Sequence, residues 1–313
     1  MKPSVVDRIL DRIQRLWPLT NDVEITLEAN PTSIDSRNFA AFSSAGINRV
    51  SIGIQSLNDS DLRKLGRLHS VKEALTALTV ARDQFKRVSF DLIYARQNQS
   101  LSDWNTELGQ ALSFGPDHLS LYQLTIEPDT AFAHRQAAGK LTGLPNHDLS
   151  ADMFELTQDV CRAAGLPAYE ISNHARPGQE SRHNLIYWHY GDYLGIGPGA
   201  HGRITLDGTR YATETALNPS AWLNRATHGC GEISRNVLSS SDQAKEYLMM
   251  GLRVKEGLDI ERYRMISGKP LDAKILCDLA NDGLIVKCHN RLILTETGRM
   301  ILNAIVVALM PND

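Results

Sequence analysis

Val50-Ser51-Ile52-Gly53-Ile54-Gln55 alternates large apolar residues with small or polar ones, the period-two pattern of a strand. Helix signals follow it. Asn58 or Ser60 opens a short helix that Gly66 ends, and Ser70 caps a longer one with Val71, Leu75, Leu78 and Ala81 on one face. The unit then repeats: Val88 to Tyr94 is a strand, Ser102 opens a helix carrying Trp104, Leu108, Ala111 and Leu112, and His118 to Leu124 is a strand. Toward the N-terminus, Val23 to Glu28 alternates, Asn30-Pro31 breaks it, and a helix from Thr32 or Ser33 runs to Gly46. Before that, Val5, Val6, Ile9, Leu10, Ile13 and Leu16 recur at helical spacing behind Pro3. Strands alternating with helices imply parallel strands joined by crossover helices, so the class is α/β. Periodicity leaves a barrel and a doubly wound open sheet both standing.

Composition narrows the function classes. The chain has 313 residues, 42% of them hydrophobic and 22% charged, and a net charge of −3. That balance gives no electrostatic ground for a nucleic-acid partner. No apolar run reaches the ~20 residues of a membrane helix, so an integral membrane protein is not expected. The four cysteines, Cys161, Cys230, Cys277 and Cys288, sit at no ligand spacing and read as reduced thiols of a cytoplasmic protein.

Downstream, Asp148 to Ala164 is helical and Pro167 to Ile171 is a short strand. From Ser172 to Arg203 the residues turn to His, Asn, Tyr, Trp, Gly and Pro, a structured loop region of the kind that carries function. The pattern weakens over 206–232. Beyond it come helices at Asp242 to Val254 and Leu271 to Asn281, a hairpin from Gly283–Val286 and Arg291–Leu294, and a last helix at Thr297 to Leu309. This order is winged-helix-like, without a basic recognition helix. The expected division is 1–205, a connecting region 206–241, and a small domain 242–313.

Several residues stand where chemistry could be placed. Glu28, Gln55, Asp91 and Gln123 lie in or just past the carboxyl halves of the strands, toward the end at which open α/β sheets and barrels bind ligands. Singly each is better read as a helix cap or a loop hydrogen bond; as a set they favour a shared ligand site. Arg67 can meet a carboxylate in bidentate fashion, or be a solvated helix-end arginine. His183, Asn184, Tyr187 and Trp188 form the densest cluster. On residues alone a satisfied histidine beside a core aromatic pair is its better reading. Gly195-Ile196-Gly197-Pro198-Gly199-Ala200-His201 is equally a tight turn and a backbone anion nest.

These motifs carry a resemblance. Glu28-Ala29-Asn30-Pro31, Ser51 to Ser56, Leu65 to Ser70, Phe90 to Tyr94, Leu119 to Pro128, Tyr169 to Asn173 and the run from Ser181 to Arg203 are similar to the coproporphyrinogen oxidase-like radical-SAM family. His183-Asn184-x-x-Tyr187-Trp188 resembles the heme motif of its HemW-type chaperone branch. The Gln-Gly-Tyr-Thr signature of the oxidase branch is not in the sequence. The resemblance implies a partial radical-SAM (β/α) barrel lacking its first strands, followed by a HemN-like, winged-helix-like C-terminal domain. It implies that Glu28, Gln55, Arg67, Asp91 and, more weakly, Ala200 contact S-adenosylmethionine. It implies that His183, Asn184, Tyr187 and Trp188 belong to a heme motif, with His183 a candidate iron ligand. Implied partners are heme and heme-receiving proteins, and a homodimer is compatible with it.

The sequence also departs from the family. Its members open with a Cys-x-x-x-Cys-x-x-Cys loop for a 4Fe-4S cluster and a Gly-Gly-Thr-Pro segment; neither is in this sequence. The expectation is therefore no cluster on this chain's own residues and no radical chemistry from them. Enzyme status stays open between a heme chaperone, a coproporphyrinogen III oxidase of porphyrin biosynthesis and an inactive fragment. Met1 is read as an internal methionine of a longer frame, which would leave the strand at Val23 to Glu28 with an apolar, aggregation-prone edge.

Overall fold

A computed structural model of the chain describes residues 1–33 and 35–311. The chain divides into two compact units, Met1–Glu180 and Ser181–Asp313. The break lies upstream of the boundary at 205 drawn from composition.

The first unit runs α1 (Pro3–Leu16), β1 (Thr26–Ala29), a 3-10 turn (Pro31–Ser33), α2 (Ser36–Ser44), β2 (Arg49–Gln55), α3 (Asp59–Lys64), α4 (Val71–Gln84), β3 (Arg87–Tyr94), α5 (Leu101–Ser113), β4 (His118–Gln123), α6 (Ala131–Ala137), α7 (His147–Ala163) and β5 (Asn173–Ala175). Its sheet has the order β1-β2-β3-β4-β5. β1 to β4 are parallel and β5 runs antiparallel to β4. Alternation sends Val50, Ile52, Ile54, Phe90, Leu92, Leu119 and Leu121 into one core with Phe39, Ala74, Leu78, Ala81, Trp104, Leu108 and Met153 of the helices. Ser51, Ser89, Asp91 and Ser120 occupy the alternate positions. The helices thus share one apolar core, and the alternate face of the strands is polar. A doubly wound sheet would be apolar on both faces. The barrel alternative is the one realised.

Helix starts differ from the sequence reading by local capping chemistry. Asn58 and Ser70 cap α3 and α4 as expected, Ser70 in a reciprocal box with Glu73. Asp35, not Thr32 or Ser33, caps α2, and residue 34 lies outside the described residues. Ser100, not Ser102, caps α5 by pairing with Asp103. The strand expected at Pro167–Ile171 is not formed. Glu170 folds its side chain onto the Ser172 amide at 2.9 Å and the Asn173 amide group at 2.6 Å, which makes a turn there, and the strand comes after it.

The second unit runs α8 (Arg182–Trp188), β6 (His201–Leu206), β7 (Thr209–Thr215), α9 (Pro219–Thr227), β8 (Glu232–Val237), α10 (Ser240–Gly251), β9 (Leu258–Asp259), α11 (Ile260–Ser267), α12 (Ala273–Asn281), β10 (Ile285–Cys288), β11 (Arg291–Leu294), α13 (Glu296–Met300) and α14 (Leu302–Leu309). The region 206–241 is structured: β6, β7 and β8 form an antiparallel sheet with α9 between its last two strands. The hairpin expected near the C-terminus is β10–β11, joined by β9.

Candidate functional site

The polar face of the first unit is a hydrogen-bonded row. Glu28 pairs in register with Ser51, Ser51 with Ser89, and Asp91 with Ser120. Across it Arg49 donates to Ser89 Oγ at 3.1 Å, Ser89 to Ser51 Oγ at 2.9 Å, and Ser51 to Asp91 Oδ1 at 3.2 Å. The three serines and two carboxylates arise from period-two alternation, so neighbours in register necessarily share a face.

Gln55 ends β2 in a left-handed backbone conformation, φ 73°. Only Gly and, less often, Asn or Asp adopt this routinely, so the surroundings must hold it there. The register against β3 slips between Ile52 and Gln55, and Gly53 leaves room for the Gln55 side chain to lie back over the strand: a Cβ on it would meet Gln55 Nε2 at 2.8 Å. Arg67 follows Gly66, itself at φ 72°, and its Nε is buried without a hydrogen-bond partner. That loop is anchored to the end of β2 by His69 Nε2 donating to Ile54 O at 3.0 Å. Such an orphaned guanidinium nitrogen suits a ligand carboxylate. Gln123 is exposed at the end of β4.

Burial pushes the Asp91 carboxyl up to about 6; hydrogen bonds from Ser120 and Ser51 oppose this, and the neighbouring Glu28 charge adds to it. A carboxyl raised in the folded state costs stability as pH climbs past its unfolded value near ~3.9, and the whole cost is present above the folded value. Asp91→Asn should therefore stabilise the protein by roughly 1–2 kcal/mol at about pH 7.5 and by much less at about pH 4. Thermal melts of both proteins at the two pH values check this, and equal shifts would contradict a buried carboxyl.

In the second unit, Ser181 caps α8 by accepting from the Asn184 amide at 3.3 Å. The short helix splits the aromatic motif into two faces. His183 is exposed and meets Tyr187 edge-on, ring centroids 4.8 Å apart; Tyr187 in turn meets Tyr193 at 4.5 Å. Four-residue spacing puts His183 with Tyr187, and Asn184 with Trp188. Trp188 faces a cavity of about 180 Å3 shared with Tyr247, Glu256, Asp259, Arg262 and Arg291. Arg253 lies over its ring at 5.6 Å, and Arg262 secures the end of the helix by donating to the His189 and Tyr190 carbonyls. That cavity is below the ~300 Å3 of ordinary cofactor pockets.

Ala200 lies in the second unit, with its N–H donated to Thr215 Oγ1 at 2.8 Å and its carbonyl taken by the Thr215 amide at 2.9 Å. Cys161 is buried in α7, while Cys230, Cys277 and Cys288 are exposed in the second unit. Among the described residues no three His, Cys, Asp or Glu side chains are placed to hold a metal ion. These cysteines do not fit a 4Fe-4S cluster, which takes converging thiolates. Sequence reasoning passed over Ser51 and Ser120, because a serine in a strand has no signature until the register shows what it faces. No helix among the described residues is long and apolar enough to cross a membrane.

Comparison with known proteins gives this geometry its relatives. Residues 3–107 match the radical SAM superfamily and residues 238–301 the HemN C-terminal domain. The chain is 38% identical to the mouse mitochondrial radical S-adenosyl methionine domain-containing protein 1, over 99% of this chain and 73% of that protein. It is 35% identical to the Escherichia coli heme chaperone HemW, over 95% of this chain and 78% of that one. The solved structure of the radical SAM enzyme coproporphyrinogen III oxidase (HemN) from Escherichia coli superposes with a TM-score of 0.80 at 20% identity, over 99% of this chain and 75% of that chain.

Proposed function

This chain belongs to the radical SAM family that includes the heme chaperone HemW, and from that premise we propose that it binds heme and hands it to heme-receiving proteins. The observation that carries the reading is the exposed His183 imidazole set edge-on to Tyr187 on α8. A neutral imidazole nitrogen is an iron ligand, and aromatic edges suit the rim of a flat macrocycle. Asn184 and Trp188 belong to the other face of the helix, where Trp188 lies under Arg253.

Glu28, Gln55, Arg67 and Asp91 would hold S-adenosylmethionine on the polar face of the first unit. Carboxylates accept from ribose hydroxyls or an amine, the Gln55 amide does both, and Arg67 would take the methionyl carboxylate. Ala200 is engaged through both backbone groups within the second unit, and no ligand contact is assigned to it. S-adenosylmethionine supplies radical chemistry only where a reduced cluster delivers an electron, and the cysteines of this chain do not form that cluster's ligand set; no radical step is assigned to these residues. The oxidase reading is not advanced, since likeness at 20% identity concerns the fold alone. We place the protein in the cytoplasm, in line with its exposed thiols.

The test is a titration of the full chain with hemin, followed at the Soret band. Saturation at one heme per chain, with transfer to an apo heme protein added afterwards, is the expected result. Absorbance that rises in proportion to added hemin without saturating would end the reading.

A further inference from the structure

Gln55 keeps an unfavourable backbone angle, and the chain has to hold it there without the help of glycine. The residues that do so lie behind the strand ends. Glu107, on α5 and only 8% exposed, collects four donors. Its Oε1 accepts from Ser56 Oγ at 2.8 Å and from the Leu57 amide at 2.6 Å. Its Oε2 accepts from Arg96 and from Gln99 Nε2 at 3.3 Å. Arg96, 3% exposed, donates as well to Asp61 of α3 at 3.0 Å and to the Ile93 carbonyl of β3. One carboxylate and one guanidinium thereby tie the loop after β2, the loop after β3, α3 and α5 together.

A buried ion pair of this kind is weak evidence for stability, because apolar side chains of the same volume would serve the core as well. What it provides is a fixed geometry for the two loops that leave the carboxyl ends of β2 and β3. Gln55 immediately precedes Ser56, and Asp91 lies on the strand whose end Arg96 grips. We propose that Glu107 and Arg96 are positioning residues for S-adenosylmethionine: they touch no ligand and set the angle at which Gln55 meets it. This rests on the assignment of Gln55 and Asp91 to that ligand.

Glu107→Gln is the informative variant. A carboxylate offers about four lone pairs and an amide oxygen about two, so two of the four donors lose their acceptor while the side chain keeps its shape. Calorimetric titration of the full chain with S-adenosylmethionine should show about tenfold weaker binding in the variant. Hydrogen exchange at the Ser56 and Leu57 amides should quicken, while hemin binding by the second unit stays as it was. If Glu107→Gln does not fold, Ser56→Ala removes a single donor and should weaken S-adenosylmethionine binding severalfold, with Ser56→Thr restoring it. Unchanged affinity alongside quickened exchange would overturn the positioning role. A wild type that binds no S-adenosylmethionine, yet shows the exchange response on substitution, would locate the failure in the ligand assignment, and the proposal would fall with it.

Discussion

His183→Ala is expected to weaken hemin binding about a hundredfold, or ~2.7 kcal/mol, with the melting temperature essentially unmoved. Both halves follow from exposure. The imidazole is solvent-facing and meets Tyr187 edge-on, so its loss opens no cavity in the core. As an axial ligand it would supply a directed bond to iron that alanine cannot replace. Trp188→Ala should act in the opposite sense: it removes the wall of the ~180 Å3 cavity and the ring beneath Arg253, so it should lower the melting temperature of the second unit first. Soret titrations and thermal melts of both variants separate the two roles. Full-affinity binding by His183→Ala, with loss in a folded Trp188→Ala, would move the heme seat to the other face of α8.

That separation was not legible in the amino-acid sequence, where the four residues read as one cluster. Their assignment to faces needs the helix between Ser181 and His189, and seven residues rich in aromatic rings do not announce a helix. The parallel strands were legible, because Val50 to Ile54 and Val88 to Tyr94 place their large apolar side chains on one face against helices. The strands β6 to β8 were not. Leu206, Ile233 and Val237 are exposed there, so no buried stripe marks the period. Pro167 to Ile171 misled for a different reason: β-prone residues next to Glu170 were overruled by one carboxylate bonding its own turn. At the candidate site, position alone singled out Glu28, Gln55 and Asp91 in the carboxyl halves of their strands. The support behind them, Glu107 and Arg96, was hidden because a helix glutamate four or more residues past its cap looks like any solvated charge.

The polar face and the core make opposite demands on the same strands. Asp91 would be more stable as an amide at neutral pH, and the Glu107–Arg96 pair could be replaced by apolar volume. Asp91 persists on the polar face where a ligand is expected and the pair persists behind the strand ends that lead to it, while the apolar core supplies the stability that both give up.

Trp104 is among the largest fully buried side chains of that core, and Trp104→Ala should cost about 3–5 kcal/mol. The side chain is fully buried, stacks on Tyr94 with ring centroids 5.1 Å apart and planes 18° apart, and donates Nε1–H to Thr157 Oγ1 at 2.8 Å. It therefore joins β3, α5 and α7, the elements that close the apolar side of the sheet. Thr157 already donates to the Met153 carbonyl at 2.6 Å, so losing the indole removes a donor to it without stranding its hydroxyl hydrogen. Most of the cost is the cavity. Trp104→Phe keeps much of the volume and loses the N–H, and should cost about 1–2 kcal/mol. Urea unfolding followed by far-ultraviolet circular dichroism, with both substitutions, measures the two contributions. An alanine variant that loses under about 1 kcal/mol would mean that α5 and α7 close over the gap. The first unit would then owe its order to the polar network behind Gln55 and not to the ring packed beneath β3.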